Sequence, residues 1–299
     1  MTEPAEFEEL RGRTFAIAYR MTGSVADAEE IGQESMLRLE QARQAGEEVS
    51  SPKAWVSTVA TRLAIDQLRS ARAERETYVG PWLPEPLLTD EGPAPAPELG
   101  PAEHAEVADT LSQAFLVLLE SQTPVERAVF LLREVFGYEY ERIASTIGRS
   151  EENCRQILAR ARRQVEERRT RFETDERHRD ELLDRFLDAC ESGDVEALEQ
   201  LLSADVVVYS DGGGKAAAAR RPIHRRDLII RFLVKVTRMR RERGAFEQRR
   251  AQINGQPGRL LVESDGTISD ALTIDVADGA IQTIRIVRNP DKLRHLNTD

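Results

Sequence analysis

Apolar residues recur at helical spacing in several stretches of this chain and at alternate positions near its end. From Ser24 to Ala45, Ile31, Ser35 and Leu39 fall on one face, while Asp27, Glu30, Gln33 and Glu34 crowd the other, which predicts an amphipathic helix. A second helix is predicted from Pro52 to Arg75. Ser51 is its N-cap and Pro52 its first residue, where the missing N–H costs nothing. Val56, Val59, Ala60, Leu63 and Leu68 form its apolar stripe, and Arg62, Arg69, Arg72 and Arg75 its cations. Thr123-Pro124-Val125-Glu126 spells a capping box. The stripe Ala128, Val129, Leu132 and Phe136 follows, and Gly137 stops the helix. A short helix, Tyr140 to Ile147, then a Gly148-Arg149-Ser150 turn and a helix from Glu151 to about Glu167 complete this part.

The pattern then changes. Helices are predicted at His178 to Ser192 and Asp194 to Leu202, and a strand at Val206 to Tyr209. A long helix, Arg226 to Arg243, is expected to bury Leu228, Phe232, Val236 and Met239. Strands follow, separated by hairpin signals at Asn254-Gly255, Asp265-Gly266 and Asp278-Gly279. Leu272, Ile274 and Val276 alternate with polar residues, as in a half-buried strand. The predicted fold class is multidomain. Two all-α helical domains, residues 5–76 and 102–171, flank a proline-rich acidic linker, 77–101, and an α+β domain occupies 174–299.

Charge narrows the function. A formal net charge of −11 excludes a protein that coats DNA by bulk electrostatics, but not one with confined basic faces that a partner delivers to DNA. Two distant cysteines, Cys154 and Cys190, imply no disulfide framework or metal site and suit a reducing cytoplasm. No apolar run approaches a membrane span, so no membrane partner is expected.

Tyr140 to Arg163 is a helix-turn-helix candidate. Ile143, Ala144, Ile147, Cys154, Ile157, Leu158 and Ala161 can form its shared core. Asn153, Arg155, Gln156, Arg160 and Arg163 are then left outward, with donors suited to base edges and phosphates. A solvated basic helix in an ordinary bundle reads equally well from this pattern alone.

The ordered set DAEEIGQESMLRL (Asp27 to Leu39), PKAWVSTVATRLAIDQLR (Pro52 to Arg69) and TPVERAVFLLREVFGYEYERIASTIGRSEENCRQILARARR (Thr123 to Arg163) resembles the extracytoplasmic-function sigma factors over roughly the first 170 residues. The resemblance implies a sigma region 2 and a sigma region 4 with core RNA polymerase and promoter DNA as partners. Asp27, Glu30, Gln33 and Glu34 would grip the polymerase. Arg62, Asp66, Arg69 and Arg72 would meet the minus-ten element, and Asn153, Arg155, Gln156, Arg160 and Arg163 the minus-thirty-five element. Thr61 stands where many relatives carry an arginine.

Three further strings are similar to group forty-one of that family, which carries a fused SnoaL-like domain. They are WLPEP with Trp82 and Pro84, DGGGK (Asp211, Gly212, Gly213, Gly214, Lys215) and NPDKL (Asn289, Pro290, Asp291, Lys292, Leu293). The resemblance implies a cone-shaped regulatory domain acting in cis, with these residues as interdomain contacts and a small-molecule ligand in its pocket. No cofactor, metal or catalytic residue is expected. The alternatives are a stand-alone helix-turn-helix regulator and a SnoaL-like cyclase or isomerase using Asp211, His224, Tyr209 or Asp265.

Overall fold

The computed structural model describes residues 4–89, 110–168, 176–244 and 246–297. The linker's second part, 90–101, and the boundaries expected at 102, 171 and 174 lie outside these residues. The chain divides into two compact units. Residues up to 76 and 110–168 belong to the first; 77–89 and 176–297 belong to the second.

In the first unit, α1 (Pro4–Thr22), α2 (Val25–Gln44) and α3 (Pro52–Glu76) form a three-helix bundle. Ser24 caps α2 by accepting from Asp27 N–H at 3.1 Å. Leu10, Met36, Leu39 and Val56 knit the three together. The remaining helices are α4 (Gln113–Leu119), α5 (Pro124–Phe130), α6 (Tyr140–Ile147) and α7 (Glu151–Arg168). The capping box forms as its four residues predict: Thr123 Oγ1 accepts from Glu126 N–H, and Glu126 accepts from Thr123 N–H at 3.0 Å. One π-helical turn, Leu131–Val135, extends α5 before Gly137 reverses the chain at φ +66°.

Both helical groups belong to this one unit, and buried arginines tie them. Arg127, 3% exposed, donates to Met21 O at 2.5 Å and Leu119 O at 2.7 Å and pairs with Glu120 at 2.7 Å. Arg20 is fully buried over the Phe136 ring, and burial lowers its pKa to about 10. Arg13 and Ser57 both bond the Tyr138 hydroxyl, at 2.7 Å each.

The second unit is α+β: α8 (Glu176–Ser192), α9 (Val195–Leu201), β1 (Leu202–Asp211), β2 (Ile223–His224), α10 (Arg226–Arg243), β3 (Phe246–Ile253), β4 (Gln256–Glu263), β5 (Ile268–Ala277), β6 (Ala280–Val287) and a 3₁₀ turn at Arg294–Leu296. The sheet order is β2-β1-β6-β5-β4-β3, with β1 and β6 parallel and the other pairs antiparallel. Phe186, Leu198, Ile229, Leu233, Ile274 and Ile284 represent the core where the helices pack on the sheet. Both residues of Asn254-Gly255 and of Asp278-Gly279 take positive φ, and in Asp265-Gly266 the glycine does.

Two expectations need correction. The buried face of α10 is Ile229, Ile230 and Leu233, with Phe232 partly buried, whereas Leu228 and Met239 are about 40% exposed. The apolar residues of α10 nearly encircle the helix, so periodicity alone set the stripe one residue out of phase. β5 is not half-buried either. Thr273 and Asp275, opposite the Leu272–Ile274–Val276 face, are also buried, and Asp275 pairs with the buried Arg285.

Replacing Arg127 with methionine leaves the Met21 and Leu119 carbonyls without their donor. Chemical denaturation should show the first unit destabilised by about 3 kcal/mol, with the second unit's transition unmoved.

Candidate promoter-reading surfaces and tether clamp

Helix α2 presents Glu30, Gln33, Glu34 and Leu37 at i, i+3, i+4 and i+7, one continuous stripe. Glu30 and Gln33 are exposed, and Glu34 pairs with Arg38 at 2.7 Å. Asp27 stands apart at the helix start, accepting from Gln67 Nε2 at 3.0 Å. Leu37, 53% exposed beside these acids, was not singled out from sequence. An exposed leucine in a charged stripe is legible only once burial is known.

On α3, Asp66 and Arg69 are exposed and paired at 3.1 Å. Arg62 donates to Thr146 O at 2.8 Å and Ser145 O at 2.9 Å, at the end of α6. The side chain of Arg72 lies outside the described residues. Thr61 is fully buried, with its hydroxyl spent on Ser57 O at 2.7 Å, so it offers nothing outward.

Helices α6 and α7 meet at the Gly148 turn, φ +66°, through buried Ile143, Ala144, Cys154, Ile157, Leu158 and Ala161. Ile147 is only half-buried. That packing leaves Arg155, Gln156, Arg160 and Arg163 exposed and Asn153 half-exposed, all on α7. Arg155 pairs with Glu151 at 2.7 Å across one helical turn. Such an exposed pair is worth little and is readily exchanged for a phosphate or a base edge.

The second unit holds the most built site. Asp211 ends β1 fully buried. Its Oδ1 accepts from the Tyr78 hydroxyl at 2.5 Å and from Gly213 N–H at 3.1 Å. Its Oδ2 accepts from Leu83 N–H at 2.8 Å and Lys292 Nζ at 2.7 Å. Lys292 is itself buried, donates to Leu83 O, and lies 4.2 Å from the Trp82 ring centroid and 5.0 Å from that of Tyr78. Asn289 donates to the Tyr78 hydroxyl at 2.9 Å, and Lys215 pairs with Asp291. Burial and the Asp211 carboxylate raise the Tyr78 pKa well above the usual tyrosine range, so the phenol stays a donor.

DGGGK and NPDKL therefore close around the tether that contains WLPEP. The glycines are required here: Gly213 and Gly214 sit at φ +56° and +74°, and a side chain on Gly213 would overlap the Asn289 amide. Pro84 and Leu293 are buried beside the clamp residues in sequence, and Pro290 is exposed. Leu83 is almost fully buried, whereas Trp82 is half-buried. Beyond it, Leu88 forms a β-bridge with Ile253, Thr89 N–H donates to Gln252 O at 2.9 Å, and His295 Nε2 donates to Pro86 O at 2.8 Å. Tyr78, Leu83 and the Leu87–Thr89 backbone went unread in the sequence. An aromatic residue shortly before WLPEP was the available signal for Tyr78; a backbone pairing leaves none.

Of the residues considered for catalysis, Tyr209 is half-buried on β1, two residues before Asp211. Asp211 is committed to the clamp, while His224 and Asp265 are exposed, the latter in a hairpin turn. Among the described residues no group of three or more His, Cys, Asp or Glu is placed to hold a metal ion. No helix among them is long and apolar enough to cross a membrane. Burial pushes the Cys190 thiol up to about 12 and raises that of Cys154, so both serve as apolar filling.

The first unit thus holds a helical bundle with an acidic stripe and a helix-turn-helix with exposed arginines, and sequence comparison identifies both parts. The Sigma-70 region 2 family matches residues 7–74 and the Sigma-70 region 4 family residues 112–165. The ECF RNA polymerase sigma factor SigJ of Mycobacterium tuberculosis is 34% identical over 298 residues, 97% of this chain and 93% of that protein. The probable ECF RNA polymerase sigma factor SigI of the same species is 33% identical over 192 residues, 64% of this chain and 63% of that protein. The crystal structure of SigJ superposes with a TM-score of 0.74 at 32% identity, covering 98% of each chain. The chain belongs to the extracytoplasmic-function sigma factors, with an α+β domain following the two sigma regions.

Asp211→Asn keeps the shape of the clamp and strips Lys292 of its counter-charge. In a Trp55→Phe background, Trp82 emission should shift to the red, and protease should cut within 77–89 at least tenfold faster.

Proposed function

We propose that this chain binds core RNA polymerase through the α2 stripe, engages the minus-ten element with α3 and reads the minus-thirty-five element with α7. In this reading its C-terminal domain regulates these steps in cis by holding the tether. The observation that carries the promoter-reading part is the exposed donor row of α7, Arg155, Gln156, Arg160 and Arg163, on a helix whose other face is packed against α6. The protein works by binding: it supplies promoter choice and strand opening, while the polymerase carries out synthesis.

Arg62 bears on how this happens. Its Nε–H and one Nη2–H donate to the Thr146 and Ser145 carbonyls, which leaves three N–H groups of this exposed side chain for a DNA backbone. Arg62 can therefore reach a phosphate while it still bridges α3 to α6. Turning the whole guanidinium toward DNA would break two hydrogen bonds to neutral carbonyls, worth about 1–3 kcal/mol together, which several phosphate contacts can outweigh.

Cis-regulation is supported by the clamp's position in the chain. Tyr78 follows the end of α3 at Glu76 by two residues, so the second unit grips the segment that leads directly out of the minus-ten helix. Polymerase, DNA and the clamp then all act on the same short stretch of chain.

Run-off transcription with purified core polymerase on a promoter library tests the reading. Arg155→Ala or Arg160→Ala should weaken use of the minus-thirty-five element by about 1–3 kcal/mol, roughly 5- to 150-fold, where the residue makes a bidentate base contact. Unchanged promoter preference in both would remove α7 as the reader. Truncation after Arg288 deletes Asn289 and Lys292 from the clamp. Core binding should survive while promoter-dependent output changes, and identical transcription by the truncated and intact chains would end the cis-regulatory part.

A further inference from the structure

Six large apolar side chains among the described residues are at least 40% exposed. Three of them, Val195, Leu228 and Met239, belong to α9 and α10, and a fourth, Leu37, belongs to the acidic stripe of α2. Most of the exposed apolar surface thus sits on two charged patches, one in each unit.

The first patch is an open groove of about 570 Å³ between α9 and α10. Val195, Ile230 and Val234 form its apolar part. Arg231, Lys235 and Arg238 line it at i, i+4 and i+7 of α10, one row along the helix. Arg231 pairs with Asp227 at 2.7 Å and Arg238 with Glu242 at 3.2 Å. Lys235, in the middle of the row, is exposed and has no carboxylate within pairing distance among the described residues.

This composition selects an occupant. Duplex DNA fits poorly, because Glu199 and Asp227 on the wall repel phosphates and the apolar part would gain no cover. A second copy of the same groove fits no better, since each would bring its own cation row. The complement is an amphipathic helix that offers one apolar side chain and one unpaired carboxylate within two turns. Helix α2 is such a helix. Glu30 is exposed and has no cation within pairing distance among the described residues, and Leu37 follows it at i+7, about 10.5 Å along the axis. On α10, Lys235 lies five residues past Ile230, about 7.5 Å along the axis, and its flexible stem spans the remainder.

We propose that the α9–α10 groove receives α2 of a second copy of this chain, with Leu37 on Val195, Ile230 and Val234 and Glu30 on Lys235. The contact joins two different patches, and every chain carries both. One leucine and one exposed ion pair make a weak contact, so association belongs to high protein concentration. A chain whose α2 is docked in this way is withheld from polymerase, a consequence that rests on the reading of α2 as the polymerase contact.

Sedimentation equilibrium on the full chain, from micromolar to submillimolar concentration, tests the contact. The average mass should rise with concentration and fall back as salt is added. Leu37→Ala should weaken the association by about tenfold. Glu30→Lys and Lys235→Glu, both at exposed positions, should each leave single chains. An equimolar mixture of these two variants should associate again, because opposite charges then meet at both patches. A constant mass for the intact chain, association that neither reversal changes, or a mixture that stays single would each overturn the contact. Core polymerase added to the associated protein should take up one chain per enzyme, and complexes holding two chains would overturn the withholding. The mass measurement involves no polymerase or promoter, so its failure is distinguishable from failure of the transcription experiments.

Discussion

The second unit depends on one buried ion pair, Asp211 with Lys292. Each charge out of water is costly alone, and the pair is tolerable only because every remaining lone pair and proton has a partner. Besides the Gly213 N–H, those partners come from the tether: the Tyr78 hydroxyl, the Leu83 N–H and the Leu83 carbonyl. The domain cannot keep this pair satisfied without the segment that precedes it by more than a hundred residues. A tether bound by apolar contact alone could slide, whereas hydrogen bonds to both main-chain groups of Leu83 set its register.

Much of the first unit was legible because local signals and packing agree there. Ser24, Ser51 and the Thr123–Glu126 box mark the starts of helices, and Gly137 and Gly148 mark reversals. The shared core and outward arginines of α7 followed from 3.6-residue spacing. Periodicity could not show that α3 and α6 touch, because Arg62 bonds carbonyls rather than side chains and carbonyls leave no trace in sequence. Thr61 illustrates the same limit: its place in a motif said nothing of its burial.

In the second unit the motif strings were legible as a set, and the structure explains their composition. DGGGK needs glycines so that the Asn289 amide and the tether can approach the backbone, and NPDKL supplies the lysine and the amide. What escaped was anything set by non-local pairing: Leu83 as the buried anchor and the Leu88–Ile253 bridge. The helix α10 failed for the opposite reason, since apolar residues on nearly every side left the pattern without a unique phase.

The capture of residues 77–89 also sets a length. While they are held, the chain between the clamped segment and the start of the second sigma region is residues 90–109, whose full extension is at most about 70 Å. Letting go adds the held stretch, about 45 Å of further contour. On the proposed reading, the fused domain sets the slack between the two sigma regions, and with it how far apart they can reach along a duplex.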